Sequence, residues 1–166
     1  MGNAQQLAEA GVRQIPPPPA ARGLSRLAHV DYADAFLVET PVAHERTAEE
    51  WARAFFDDVP AHLRKALRRG WFALGLKLGP TRSDRLVFGW EPRRSTPDVA
   101  LLGAGGRLGL SGELLFKREE QAMLFCTFVQ LGNPIARLVW GRVEPGHVRI
   151  VRYLLGHAGC WERPLL

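Results

Sequence analysis

Cysteine is scarce in this chain of 166 residues: Cys126 and Cys160 are the only two. They stand far apart, neither belongs to a Cys-x-x-Cys pair, and no disulfide framework is implied. A buried, reduced Cys126 is the expectation. Lysine is nearly as scarce. Lys65, Lys77 and Lys117 are the only lysines, so most of the 22 cations set against 17 carboxylates are arginine, for a net charge of +5. That skew fits a GC-rich bacterial genome, and the excess is too small and scattered to imply a nucleic-acid partner. No apolar run approaches the ~20 residues of a membrane span. The N-terminus lacks the apolar core of a signal peptide, and Gln6 stands where a myristoylation signal wants Ser or Thr. A soluble cytoplasmic protein without membrane insertion is expected.

Chemical motifs are missing as well. The five histidines show no metal-ligand spacing, and there is no Gly-x-Ser-x-Gly elbow. Gly103-Ala-Gly105-Gly106 is followed by strand residues, not a helix, and Leu108 occupies the place of the third glycine of a dinucleotide loop. A hairpin turn accounts for it better. No metal and no cofactor are expected.

What is present is a legible order of elements. Apolar residues make up 46% of the chain, enough for a full core in one domain. Residues 1–29 read as a Pro-rich arm, with a short helix at Ala4–Ala10 and an extended Pro16–Pro19 run, which either wraps the domain or stays mobile. The folded domain is expected at 30–160 and a tail at 161–166. Ala33–Thr40 alternates as a first strand. Thr47 and Glu50 form a capping box for a helix carrying Trp51, Ala54 and Phe55. Pro60 opens a second helix with a Leu63, Leu67, Trp71, Leu74 stripe. Arg64, Lys65, Arg68 and Arg69 fall largely outside that stripe, as a solvated face does. Four strands are then expected at Arg85–Glu91, Asp98–Leu102, Leu108–Arg118 and Ala122–Leu131, in successive hairpins. Past Gly132-Asn133-Pro134 a long amphipathic helix carries Ile135, Leu138, Val139, Val143, His147, Ile150 and Leu154, with Pro145-Gly146 expected to kink or loosen it. Strands grouped between helices make an α+β domain, not a parallel sheet.

That order resembles the helix-grip fold of the START-like superfamily, which includes polyketide cyclases and lipid-transfer domains. Asp31 to Phe36, Ser95 to Val99, Thr127 to Val129 and Trp140 through His147 to Leu155 are similar to a small bacterial family of domains of unknown function within it. The resemblance implies a curved antiparallel sheet around a long C-terminal helix, two short helices after the first strand, and a cavity for a small apolar or amphipathic ligand. Five strands are evident; a sixth is expected in 76–84 or in a split of Leu108–Arg118.

Within that frame, one ionisable side chain on an apolar helix face singles out His147. A half-buried imidazole serves as general acid or base, or orients a ligand oxygen; a core histidine bonded to backbone is the plainer alternative. Thr127 is the one polar residue on the inward phase of its strand. Phe36, Phe88, Trp90, Phe116, Phe125 and Trp140, with Val143 and Ile150, are the candidate ligand-binding set, although any single ring is more often core filling. Arg85, Glu91, Glu113 and Lys117 occupy the opposite phase, expected to face solvent. Asp34 shares a face with Phe36 and is a weaker catalytic candidate; Asp31 is expected to cap the strand entry. The leading reading is binding of a small hydrophobic or amphipathic molecule. The alternative is a cyclase, dehydratase or isomerase acting on a polyketide-like or lipid-like substrate, with His147 moving the proton. Whether the protein is an enzyme stays open, and a homodimer is compatible with either reading.

Overall fold

A computed structural model describes residues 11–162. The helix expected at Ala4–Ala10 lies outside the described residues. Six strands form one antiparallel curved sheet: β1 (Val12–Ile15), β2 (Tyr32–Glu39), β3 (Glu91–Ser95), β4 (Val99–Ala104), β5 (Leu110–Arg118) and β6 (Ala122–Leu131), in the order β1-β2-β6-β5-β4-β3. Four helices accompany them: α1 (Pro19–Arg22), α2 (Ala48–Asp58), α3 (Ala61–Ala73) and α4 (Pro134–His157). The α+β helix-grip arrangement is therefore the one expected from element order.

Local signals explain the boundaries. Thr47 accepts from the Glu50 N–H at 3.2 Å while Glu50 accepts from the Thr47 N–H at 3.1 Å, closing the capping box of α2. Asn133 caps α4 through Ala136 at 2.8 Å, with Pro134 at the position where its missing N–H costs nothing. The helix then continues through Pro145 to His157 without a break. Pro92 falls on the edge strand β3 beside a bulge, where a missing donor is tolerated.

Three expectations are corrected. The strand expected at Arg85–Glu91 begins only at Glu91, as β3: before it Val87 and Trp90 exchange backbone bonds of 3.0 and 2.9 Å around Phe88 and Gly89, whose φ angles are 51° and 88°. Two consecutive left-handed residues reverse the chain in a tight turn. The Phe88 ring is held there by stacking on Phe56 at 5.0 Å. The sixth strand is found at Val12–Ile15, inside the supposed arm, paired with Ala35–Val38. Finally, the outward phase is a solvent face only in part: Arg85 and Glu91 are exposed, but the middle of the sheet is covered. Leu101, Leu115, Leu124, Cys126 and Phe128 are buried there, beneath Ala21, Leu24 and Leu27 of the arm. Glu113 is fully buried among them, held by Arg93, Ser25 and the Arg26 N–H.

The concave face is shared between two helices. Over β4 and β5 lies α2; over β1, β2 and β6 lies α4. The α2 side is solidly packed. Phe116 and Phe125 join Trp51, Phe55 and Phe56 in one aromatic cluster. Trp161, read from the sequence as tail, is buried against Trp51 and Phe55 and donates to the Leu155 carbonyl at 3.0 Å. Each such ring contributes roughly 1.5–3 kcal/mol by burial. None of the residues of α3 is fully buried, and the space beneath that helix is not filled.

Candidate functional site

A cavity of about 510 Å³ lies between the sheet, α3 and α4. Its roof is the predicted stripe of α3, Leu63, Leu67, Trp71 and Leu74, joined by Gly70. Its floor is Leu110, Gly112 and Leu114 of β5 with Thr127 and Val129 of β6, and Trp90 closes one side. Val139, Trp140, Val143, Gly146, His147 and Ile150 of α4 form the far wall. The residues at i, i+3, i+4 and i+7 of one helix face thus meet alternate residues of two strands. A volume near 500 Å³ lies within the ~300–1,000 Å³ of small-molecule sites.

The structure sorts the sequence candidates into two groups. Trp90, Thr127, Trp140, Val143, His147 and Ile150 line the cavity. Phe36, buried beside Phe125 in the β2–β6 register with the Arg152 guanidinium over its ring, does not, and neither do Phe88, Phe116 and Phe125, which belong to the packed cluster around α2. The reason is that α2 occupies that half of the concave face, so rings of the right phase meet side chains instead of space. Along α4, Ile135 and Leu138 are 74% and 62% exposed. They are corrected from the inward stripe to the solvent side, because Ala136 and Trp140 are the residues that turn inward.

One end of the cavity is polar. Asp34, only 3% exposed, accepts from the Tyr32 hydroxyl at 2.8 Å and lies 3.0 Å from His147 Nε2. A carboxylate can only accept, so the ring nitrogen facing Asp34 is the donor of this bond. The arrangement is that of a base oriented by a buried carboxylate. Burial, and then the negative charge of Asp34, pushes the Tyr32 phenol far above its ordinary value, so it remains a donor. The Trp140 ring packs against both Tyr32 and His147, at 5.0 and 5.2 Å. Asp34 itself is not in the cavity wall; it stands behind His147.

Three buried polar atoms on residues that line the cavity have no protein partner, Thr127 Oγ1, Trp140 Nε1 and Trp90 Nε1, and the second oxygen of Asp34, behind His147, also lacks one. Thr127 and Asp34 face each other in the β2–β6 register. A buried polar group left unpaired costs about 1–3 kcal/mol, and an unpaired group of this kind in a native fold calls for an explanation. Trp140 and Trp90 offer donors only, and Thr127 offers either.

The sequence reading missed Tyr32 as a partner of Asp34 and did not count the α3 stripe among the ligand-binding candidates. Tyr32 had a signal: it sits two residues before Asp34, on the same face of β2. Asp31 does secure the strand entry, accepting from the Leu131 N–H at 2.7 Å and pairing with Arg137 at 3.2 Å. That backbone bond, more than the nearby cations, holds its carboxyl below the usual range. Among the described residues no cluster of His, Cys, Asp and Glu is arranged to hold a metal ion, and no helix is long and apolar enough to cross a membrane.

No family model, curated protein or solved structure matches this chain.

Proposed function

We propose that this protein binds a small amphipathic molecule in the cavity beneath α3. The apolar body lies among Leu63, Leu67, Trp71 and Ile150, and an acceptor oxygen lies at the Thr127–Trp140–His147 end. The supporting observation is the combination of an apolar cavity with buried, unpartnered polar atoms at its wall. Those atoms need a partner, and the apolar walls favour one that brings its own apolar surface. The helix-grip order and this cavity also favour the START-like superfamily as the chain's relatives. Cytoplasmic residence belongs to the same reading, since Cys126 is a buried thiol outside any disulfide. The test compares a fluorescent fatty acid with a matched alkane-tailed probe lacking the head oxygen. Replacing Thr127 by Val should weaken the oxygenated probe about 3–10-fold, the equivalent of one neutral hydrogen bond, and leave the apolar probe unchanged. Equal effects on both probes would place the polar contact elsewhere.

A second reading rests on the Tyr32–Asp34–His147 chain. Nδ1 of His147 takes a proton from a bound polyketide-like or lipid-like substrate, and Asp34 stabilises the imidazolium while Thr127 and Trp140 donate to the developing oxyanion. The reaction would be a cyclisation, dehydration or isomerisation. Normal turnover by a His147→Ala variant would exclude this role.

A further inference from the structure

Tyr153 apart, which lies near the other end of α4, the large exposed apolar residues among those described are not scattered. Phe72, Leu108, Ile135 and Leu138 are 75%, 62%, 74% and 62% exposed. They gather where the end of α3 meets the start of α4. Phe72 leads into Gly75, where an added Cβ would fall 2.9 Å from the Leu108 side chain. The Leu108 carbonyl accepts from Asn133 at 3.2 Å, and Ile135 follows two residues later. Val139, 40% exposed, continues this surface into the cavity wall. A contiguous exposed patch of this kind marks an interaction site.

Charge gives the patch its partner. Val59 to Ser83, Gly103 to Gly112 and Gly132 to Val143, the segments nearest this patch, contain no Asp or Glu, and Asp31, the acidic residue brought beside them, is already paired with Arg137 and His29. These segments contribute the exposed Lys65, Arg69, Lys77, Arg107 and Arg142. Lys65 and Arg69 share a helix face with Phe72, and Leu138 shares one with Arg142, at spacings of three and four. Exposed apolar side chains fringed by cations fit neither a neutral partner nor a purely polar one. We infer that this end of the molecule docks on an anionic lipid surface, with Phe72, Leu108 and Ile135 entering the headgroup layer and the arginines meeting phosphates. Such docking is interfacial and needs no spanning helix. It turns the gap between α3 and α4 toward the bilayer, so a hydrophobic molecule would pass between membrane and cavity without crossing water. The docking itself does not rest on the cavity reading.

Co-sedimentation of the full chain with vesicles tests it, using phosphatidylcholine alone and phosphatidylcholine mixed with phosphatidylglycerol. The protein should pellet with the mixed vesicles, and salt should weaken the binding. Arg69→Gln with Arg107→Gln should lower partitioning about 25-fold, taking roughly fivefold per cation near an anionic surface. Phe72→Ser with Leu108→Ser and Ile135→Ser should abolish pelleting at every salt concentration while the circular dichroism stays that of the parent. All the substituted side chains are exposed. Failure to pellet with mixed vesicles would overturn the inference. So would undiminished pelleting of the apolar triple variant, which would reduce the effect to charge alone. Tighter binding to duplex DNA than to vesicles, unaffected by the triple substitution, would assign the basic surface to nucleic acid instead.

Discussion

Glu113 carries a load that its place in the sequence does not suggest, and replacing it by alanine should destabilise the fold severely. The side chain is fully buried on the outer face of β5. One oxygen accepts from the Ser25 hydroxyl, both accept from the Arg26 N–H at 3.1 Å, and Arg93 pairs with it at 3.1 Å. Arg93 reaches it by lying across Gly103, where an added Cβ would fall 2.0 Å from the guanidinium Nε. Glu113→Ala therefore strands an arginine that is 24% exposed and two donors of the arm. Removing one member of a buried pair costs about 3–5 kcal/mol, out of a total stability of about 5–15 kcal/mol. With a urea dependence of about 2 kcal/mol per molar, the unfolding midpoint should fall by roughly 1.5–2.5 M. Glu113→Gln keeps the shape and one acceptor oxygen, and should lose less. Gly103→Ala should reproduce much of the loss by displacing Arg93 while leaving Glu113 in place. Limited proteolysis should cut both variants first within Pro16–Leu24, where the arm is released. A Glu113→Ala midpoint within about 0.3 M of the parent, at an unchanged slope, would refute this account of how the arm is fastened.

Three further outcomes are expected. Tyr32 and Tyr153 are the only tyrosines, so ultraviolet titration of Tyr153→Phe reports Tyr32 alone. Its phenol is raised in the fold, so the stability it contributes is complete below the ordinary tyrosine value and is lost as pH climbs above it; phenolate should appear only with alkaline unfolding, and a normal titration in the folded protein would contradict the buried Tyr32–Asp34 bond. Burial, then the Asp34 charge, pushes the Cys126 thiol up to about 12. Cys126 should therefore resist a thiol reagent in a Cys160→Ser background until the protein unfolds, and prompt labelling of the native state would show the outer face to be open. Gly70 and Gly146 lie in helices facing the cavity with nothing within 4 Å of an added Cβ; Gly70→Ala and Gly146→Ala should each add about 0.5–1 kcal/mol, read as a melting temperature raised by ~1–4 °C, whereas a fall would mean the space is already occupied.

Much of the fold was legible because its signals are local. The Thr47–Glu50 capping box, Asn133-Pro134 and the apolar run of Ala122–Leu131 ended by Gly132 act within a few residues, and each marks its element closely. The failures share a different cause: each depends on what packs where. Whether the outward residues of β5 and β6 meet water is decided by an arm almost a hundred residues away, and only Leu124, Cys126 and Phe128, apolar on both faces of β6, gave a hint of it. The turn at Phe88-Gly89 lacks the usual Asn-Gly signature and is held by contacts with α2. Which rings line space and which fill the core depends on α2 covering only part of the sheet, information that the alternation of a single strand does not contain. His147 and Asp34 were each visible as polar residues on inward faces. Their meeting, and the presence of Tyr32 with them, follows from how α4 crosses β2.

The most direct test of the central reading, a cavity that holds an amphipathic ligand, is native mass spectrometry of freshly purified protein followed by solvent extraction. A stoichiometric added mass, lost from a Gly146→Trp variant that projects an indole into the cavity, is the result predicted. A bare chain mass, together with no uptake of an added fatty acid by the parent protein, would contradict it.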